Sequence, residues 1–370
     1  MRIGLLSGEY PPQPGGVGAF TRVLARELAA QRHEVFVLAG PDAELSDDAV
    51  TVERCAGWSP ASWGRVSQWV RAHGLQVVNL QYQTAAFGMS PFIHFLPQRM
   101  RSAPVVTTFH DLRFPYLFPK AGPLRPWIVR HLAKTSAGAI ATNHEDFTAL
   151  DSLPHRAFIP IGSNILAPAP DTGACAAARA TAGASPASYI IAYFGLAHPS
   201  KGLDVLIDAA AQLLREGIPV RLVLIGGVGD DRSALDSALD VASMRQHTFI
   251  SGFQPEAQVA ALLCAADVVA LPFRDGASFR RGSLMAALHY ARPLISTTPA
   301  VPIPEFSDGG SMLLVPPDDA PALAQALRRL HRDPDLRANL SAGAAALAER
   351  FSWHNIAQQT ADFFREVVRA

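Results

Sequence analysis

Short apolar runs alternate with amphipathic stretches from one end of the chain to the other. The runs Ile3-Gly4-Leu5-Leu6, Val35-Phe36-Val37-Leu38, Val77-Val78-Asn79-Leu80, Val105-Val106-Thr107-Thr108 and Ala139-Ile140-Ala141-Thr142 are brief and rich in branched side chains. Between them, as from Phe20 to Leu28, apolar positions recur at helical spacing. Continuous runs of this kind predict parallel strands covered by helices on both faces. Right-handed crossovers then build a doubly wound domain. The pattern breaks over 166–188, where LAPAPDTG precedes an Ala-rich piece ending at Ser185-Pro186, and this reads as a linker. It restarts with strands at Tyr189 to Phe194, Val220 to Ile225, Phe249-Ile250, Val268 to Leu271, Pro293 to Ser296 and Met312 to Val315. Helices are predicted from Leu203 to Leu214 and at about 320–331, 334–350 and 353–369. The expectation is an α/β protein of two doubly wound domains facing one another across a cleft, 1–165 and 189–350. A last helical segment, 351–370, would return to the N-terminal domain.

Composition narrows the function classes. Of 370 residues, 49% are hydrophobic and 17% charged, which is enough apolar material for full cores. Lys plus Arg number 32 and Asp plus Glu 32, so no general attraction to nucleic acid is expected. Cys55, Cys175 and Cys264, odd in number and widely spaced in sequence, argue against a disulfide scaffold or a Cys-based zinc site. A reducing compartment, the cytoplasm, fits. Met1-Arg2 leads straight into the first apolar run without a signal-type segment. No apolar stretch reaches the ~20 residues that span a bilayer.

Four loops at predicted strand ends carry candidate chemistry. After the first strand comes SGEYPPQPGGVG, residues 7–18, and then a helix. Gly15, Gly16 and Gly18 permit positive φ and close approach to a ligand, and amides at a helix start favour an anion. A tight turn would need the same glycines. The spacing does not meet a nicotinamide-type loop, and no acid ends the second strand. His110-Asp111 follows the strand at 105–108, placing an imidazole and a carboxylate at a strand end, where a loop histidine without chemistry is the plain alternative. Lys201, in FGLAHPSKG, stands just before a helix and is one of only three lysines, with Lys120 and Lys134. It could reach an anion held at that helix start, or simply be solvated. Finally, Asp275, Ser278, Arg280, Arg281, Gly282 and Ser283 follow the strand at 268–271 and open a helix. The helix dipole disfavours cations there, so two arginines suggest a diphosphate cradle. Residues 99–134 hold seven Lys/Arg and one acid, interleaved with Phe114, Tyr116, Leu117, Phe118, Trp127 and Ile128. Such a mixture suits an anionic membrane surface or a lipid-linked acceptor, or else a helix with one buried and one basic face. Asp47-Asp48, Asp230-Asp231 and Asp318-Asp319 read as surface or capping acids, and no carboxylate cluster calls for a metal.

Taken in order, these segments resemble the GT-B glycosyltransferases, in particular retaining glycosyltransferase family 4. The opening MRIGLLSGEYPPQPGGVGAFTRVLARELAAQRHEVFVLAG is similar to the family's start, and VVTTFHD to its His motif. IPIGSN (159–164) resembles the interdomain border, YFGLAHPSKGLDVLIDA the donor-domain opening, and GGSMLLVPPDDAPALAQAL the late loop and helix. The resemblance implies two Rossmann-like domains and transfer of a sugar from a nucleotide-sugar donor to a hydroxyl acceptor, without cofactor or essential metal. It implies that Gly15 and Gly16 lie near the sugar and donor phosphates, His110 beside the reacting centre, Lys201 at the diphosphate, and Glu305 in a loop facing the donor. The chain departs from the pattern twice. Leu196 stands where the family has an arginine. The paired glutamates fall on Ser278 and Ala286, with Asp275 near the first. Arg280 and Arg281 are expected to supply the missing charge. Peripheral contact with the inner face of a membrane is a further expectation. The alternatives are a nucleotide-sugar-binding relative without activity, or another activity on this fold such as epimerisation.

Overall fold

The computed structural model describes the chain except Pro14, residues 113–123 and 228–231, and the side chain of Arg125. Phe114, Tyr116, Leu117, Phe118, Asp230 and Asp231 therefore lie outside the described residues. The chain forms two compact units, Met1–Asn164 with Phe351–Ala370, and Ile165–Arg350.

The first unit holds β1 (Arg2–Ser7), β2 (Glu34–Ala39), β3 (Thr51–Arg54), β4 (Val77–Tyr82), β5 (Val105–Phe109), β6 (Gly138–Ala141) and β7 (Arg156–Phe158), all parallel. Their order is β3-β2-β1-β4-β5-β6-β7. The second holds β8 (Tyr189–Phe194), β9 (Val220–Ile225), β10 (Thr248–Ile250), β11 (Val268–Leu271), β12 (Leu294–Thr297) and β13 (Leu313–Val315), again all parallel, in the order β10-β9-β8-β11-β12-β13. Both sheets are Rossmann-like. The order reverses between β1 and β4 and between β8 and β11, and the crevice beyond the carboxyl ends at such a point is where ligands bind. The central strands are buried throughout, as β4 and β5 show, which is why they read as unbroken apolar runs.

The Trp353–Arg369 helix belongs to the first unit. Its Trp353 ring lies 5.1 Å from that of Phe20 and donates from Nε1 to the Ser163 carbonyl at 2.7 Å. Ile356, Ala357 and Phe364 are fully buried in one core with Leu5, Leu24 and Val37. Gly162 is obligatory beneath this helix, because a Cβ there would come within 2.8 Å of the Trp353 ring.

One expectation needs correction. Residues 166–188 are more than a linker, since they contain the helix Thr172–Thr181, part of the second unit. Asp171 caps it, accepting from Ala174 N at 2.7 Å. Arg179 pins it by donating to the Ala265 and Ser188 carbonyls, each at 2.9 Å. Alanine is the strongest helix former, and the flanking prolines masked that signal. The cysteines, distant in sequence, are not all distant in space. Cys175 on this helix lies beside Cys264 on the helix Glu256–Ala265, and burial, chiefly, pushes the Cys264 thiol up.

Candidate functional site

In the second unit the loop after β8 makes a tight return. A 3-10 turn at Pro199–Lys201 is followed by Gly202 at φ +62°, where a Cβ would lie 2.1 Å from the Pro272 carbonyl oxygen. Only glycine fits there. The loop carries the Lys201 ammonium back over Gly195: a Cβ at Gly195 would stand 2.5 Å from Lys201 Nζ and 3.8 Å from Ser283 Cβ. The lysine and the start of the Gly282–His289 helix therefore converge on one spot. Burial, and then the Arg281 charge, lower the Lys201 amine to about 8. Among the described residues no carboxylate pairs with it.

The segment after β11 supports this spot. Arg274 donates to Asp318 and Asp204, each at 2.6 Å, and to the Pro199 carbonyl at 2.5 Å. It clamps the turn that carries Lys201. Asp275 pairs with Arg281, whose guanidinium also lies 4.7 Å from the centre of the Phe273 ring. The ion pair thus accounts for part of the arginine density at this helix start. Ser278 accepts from Arg281 N at 3.1 Å through its carbonyl. Arg280 is partly buried next to it. Arg281 occupies the N-cap without a side-chain cap, so the first amides of the helix, at Gly282 and Ser283, receive no capping side chain. Ala286 is fully buried. Glu305 is mostly buried in the turn after β12, 3.7 Å from the Arg350 guanidinium of its own unit. An apolar cavity of about 210 Å³ borders the lysine loop, walled by Pro199, Leu203, Ile207 and Leu235.

In the first unit the glycine loop differs from expectation. The helix begins at Gly16, and Gly15 is extended at φ −172° rather than left-handed. The glycines serve close approach instead. A Cβ at Gly15 would meet Glu9 Oε1 at 2.2 Å and one at Gly18 would meet Tyr10 Cα at 3.0 Å, whereas nothing lies within 4 Å of one at Gly16. The Glu9 carboxylate is the anion at this helix start, accepting from Val17 N at 2.9 Å and Gly18 N at 3.0 Å. On the same helix Phe20 packs edge-on against His110, ring centres 4.7 Å apart. His110 lies just past β5. Its Nε2 is 2.8 Å from Gln81 Oε1, and burial lowers its pKa to about 4. Asp111 follows, partly exposed.

The structure thus brings Lys201, Arg281, Asp275 and Ser283 together in one unit. In the other, Gly15, Gly16 and His110 are joined through one helix. The sequence reading missed Glu9, Asn79, Gln81 and Arg274. Two of them carried a signal: Asn79 and Gln81 are polar residues two apart in a buried strand. Among the described residues no group of three or more His, Cys, Asp or Glu could hold a metal ion. Among them, too, no helix is long and apolar enough to cross a membrane.

Two family descriptions match the chain, "Glycosyl transferase 4-like domain" over residues 15–150 and "Glycosyl transferases group 1" over 188–333. The chain is 28% identical to a phosphatidyl-myo-inositol mannosyltransferase of Mycobacterium leprae, covering 97% of this chain and 95% of the relative. Its fold is similar to that of sucrose-phosphate synthase from Thermosynechococcus elongatus, with a TM-score of 0.79 at 18% identity over 100% of this chain and 99% of the other. It is also similar to Anabaena HepE, solved in complex with UDP-glucose, with a TM-score of 0.74 at 19% identity over 99% and 100%. With both sheets wound alike and both halves matched, the chain belongs to the GT-B glycosyltransferases of the family 4 type and is a sugar-transferring enzyme.

Proposed function

We propose that the enzyme moves a sugar, with retention of configuration, from a nucleoside-diphosphate sugar to an acceptor hydroxyl. The observation that carries this reading is the Lys201 ammonium, drawn out of water without a carboxylate partner among the described residues, beside Ser283 at a helix start. A half-buried cation in that position is stabilised by an anion. Lys201, Arg280, Arg281 and the Gly282 and Ser283 amides neutralise the diphosphate as it leaves. The bond from the anomeric carbon to the phosphate oxygen breaks, the acceptor oxygen bonds to that carbon on the same face, and its proton passes to the departing phosphate. The cationic side chains take the charge a metal would otherwise take, so none is required. The space beside Gly16 admits the sugar, and His110, with Asp111 beside it, orients a hydroxyl. Asp275 and Ser278 shape the donor loop, and Glu305 supports the turn next to it.

HepE in complex with UDP-glucose supports the donor class. The mannosyltransferase relative supports an acceptor presented at a membrane. So do Leu124 and Trp127, 63% and 53% exposed, on a segment whose exposed ions, among the described residues, are Arg99, Arg101, Arg130 and Lys134. Melting curves in EDTA against UDP-, GDP- and ADP-sugars test the donor, since a true donor stabilises the fold by mass action. One class is expected to raise the melting temperature, and Arg280→Ala with Arg281→Ala to abolish the rise. No shift with any of them overturns the reading.

A further inference from the structure

Asn79 and Gln81 lie two apart on β4, so both side chains leave on one face of the sheet. β5 runs beside them with Asn79 opposite Val106 and Gln81 opposite Thr108. His110 follows two residues after Thr108. Hydrogen bonds connect the set. Asn79 Nδ2 donates to the Val106 carbonyl at 3.0 Å and to Thr108 Oγ1 at 2.9 Å. Gln81 Nε2 donates to Asn79 Oδ1, and Gln81 Oε1 faces His110 Nε2 at 2.8 Å. Asn79, Gln81 and Thr108 are buried.

The first contact fixes all the others. A backbone carbonyl only accepts, so the Asn79 atom facing Val106 is its NH2 group. The Asn79 oxygen then faces Gln81, which must answer with NH2. The Gln81 oxygen is left for His110, and an oxygen there requires a proton on Nε2. Turning either amide over would set donor against donor or acceptor against acceptor among buried groups, which is disfavoured.

We infer that Gln81, aligned by Asn79 and ultimately by the Val106 carbonyl, is a positioning residue that holds His110 as the neutral Nε2–H tautomer and so makes Nδ1 an acceptor for a substrate hydroxyl. Among the described residues Nδ1 has no partner, and the residue keeps part of its surface accessible. The group received there is an O–H of sugar or acceptor, because a phosphate or carboxylate oxygen would oppose a lone pair. The elements around the ring agree with a neutral imidazole. Phe20 packs on it from the Gly16–Ala30 helix. β4 offers Gln81 and the Tyr82 carbonyl, which accepts from His110 N at 3.1 Å. Asp111 is the neighbouring charge on its own loop, and burial alone lowers the ring's pKa.

The substrate half of this inference rests on the proposed function; the tautomer half stands alone, and the test separates them. Long-range 15N–1H correlation of the wild-type chain at neutral pH should show His110 with a protonated Nε2 and a bare Nδ1. An Nδ1–H tautomer or an imidazolium overturns the inference. Gln81→Glu sets a carboxylate against Nε2 and raises the ring's pKa. Release of nucleoside diphosphate is then followed with the sugar nucleotide selected by the melting panel. The variant should run at least about tenfold below wild type near pH 6 and recover at alkaline pH, where the ring is again neutral with its proton on Nε2. Gln81→Leu, which adds no charge, should lose activity equally at every pH and show mixed tautomers. If the wild-type tautomer is as stated but Gln81→Glu leaves the pH profile unmoved and Gln81→Leu keeps full activity, His110 does not receive a substrate hydroxyl. In that case the substrate half fails, while donor-induced melting shifts still report separately on the proposed function.

Discussion

Lys201 illustrates how one side chain can carry opposite pH signatures. Its amine titrates near 8, well below an ordinary lysine, because the charged form is desolvated and faces Arg281. Between that value and about 10.5 the unfolded chain holds more protons than the folded one, so stability without ligand rises with pH. In the proposed function the protonated amine holds the diphosphate, so affinity should fall over the same range. Titration calorimetry of the nucleoside diphosphate at about pH 7 and pH 9 should show weaker binding and proton uptake at the higher value. Lys201→Met should flatten the pH dependence and cost about 10- to 100-fold in affinity, the scale of a charge-assisted contact. This residue was legible because lysine is scarce in the chain and stands before a helix. Glu9 was not. A carboxylate eight and nine positions ahead of the amides it caps has no local pattern, and the glycines pointed to positive φ or to a ligand rather than to the approach of that carboxylate. Asp275 and Glu305 likewise revealed their partners, Arg281 and Arg350, only in three dimensions.

At the level of elements, the central strands were readable almost to the residue, since burial on both faces writes an unbroken apolar run. The two strands that escaped were β3 and β7. Both lie at a sheet edge, both are short, and neither TVER nor RAF holds more than two consecutive apolar residues. The Thr172–Thr181 helix escaped because punctuation by proline outweighed its alanines. The connection between the loops after β8 and β11 was equally invisible, because Arg274 joins Asp204, Asp318 and Pro199 across 44 to 75 positions of sequence. If this clamp sets where the ammonium stands, Arg274→Ala should weaken nucleoside-diphosphate affinity by about tenfold although it leaves Lys201 in the chain. Combined with Lys201→Met, the loss should be clearly less than the sum of the two, as for residues acting through one contact. Full additivity in a double-mutant cycle would show that the clamp acts elsewhere.

The whole molecule inherits an acid limit from its first unit. His94 is fully buried, accepting from Tyr82 Oη on Nε2 at 2.8 Å and donating from Nδ1 to the Pro91 carbonyl at 3.0 Å. Burial lowers it to about 4, as it does His110. Both rings are held below the unfolded value near 6.5, so the unfolded chain binds the extra protons first. Stability present above about pH 6.5 is lost progressively toward pH 4. Urea midpoints across that window should fall for the wild type, and less steeply for His94→Gln. Flat midpoints would mean that neither imidazole is kept neutral by the fold.

The path of the chain has one more consequence. Residues 165–350 are continuous, but the other unit is assembled from two pieces of sequence separated by all of them. A fragment ending at Asn164 would lack the ridge formed by Trp353, Ile356 and Phe364 and would leave Phe20 and Leu24 open to water. Each such side chain is worth about 1.5–3 kcal/mol when buried. Such a fragment should be produced as aggregate, whereas the same fragment joined through a flexible tether to residues 351–370 should be recovered soluble with a cooperative melt. For anyone dissecting this enzyme, the smallest piece that keeps the first unit whole is therefore a splice of residues 1–164 with 351–370, not a truncation.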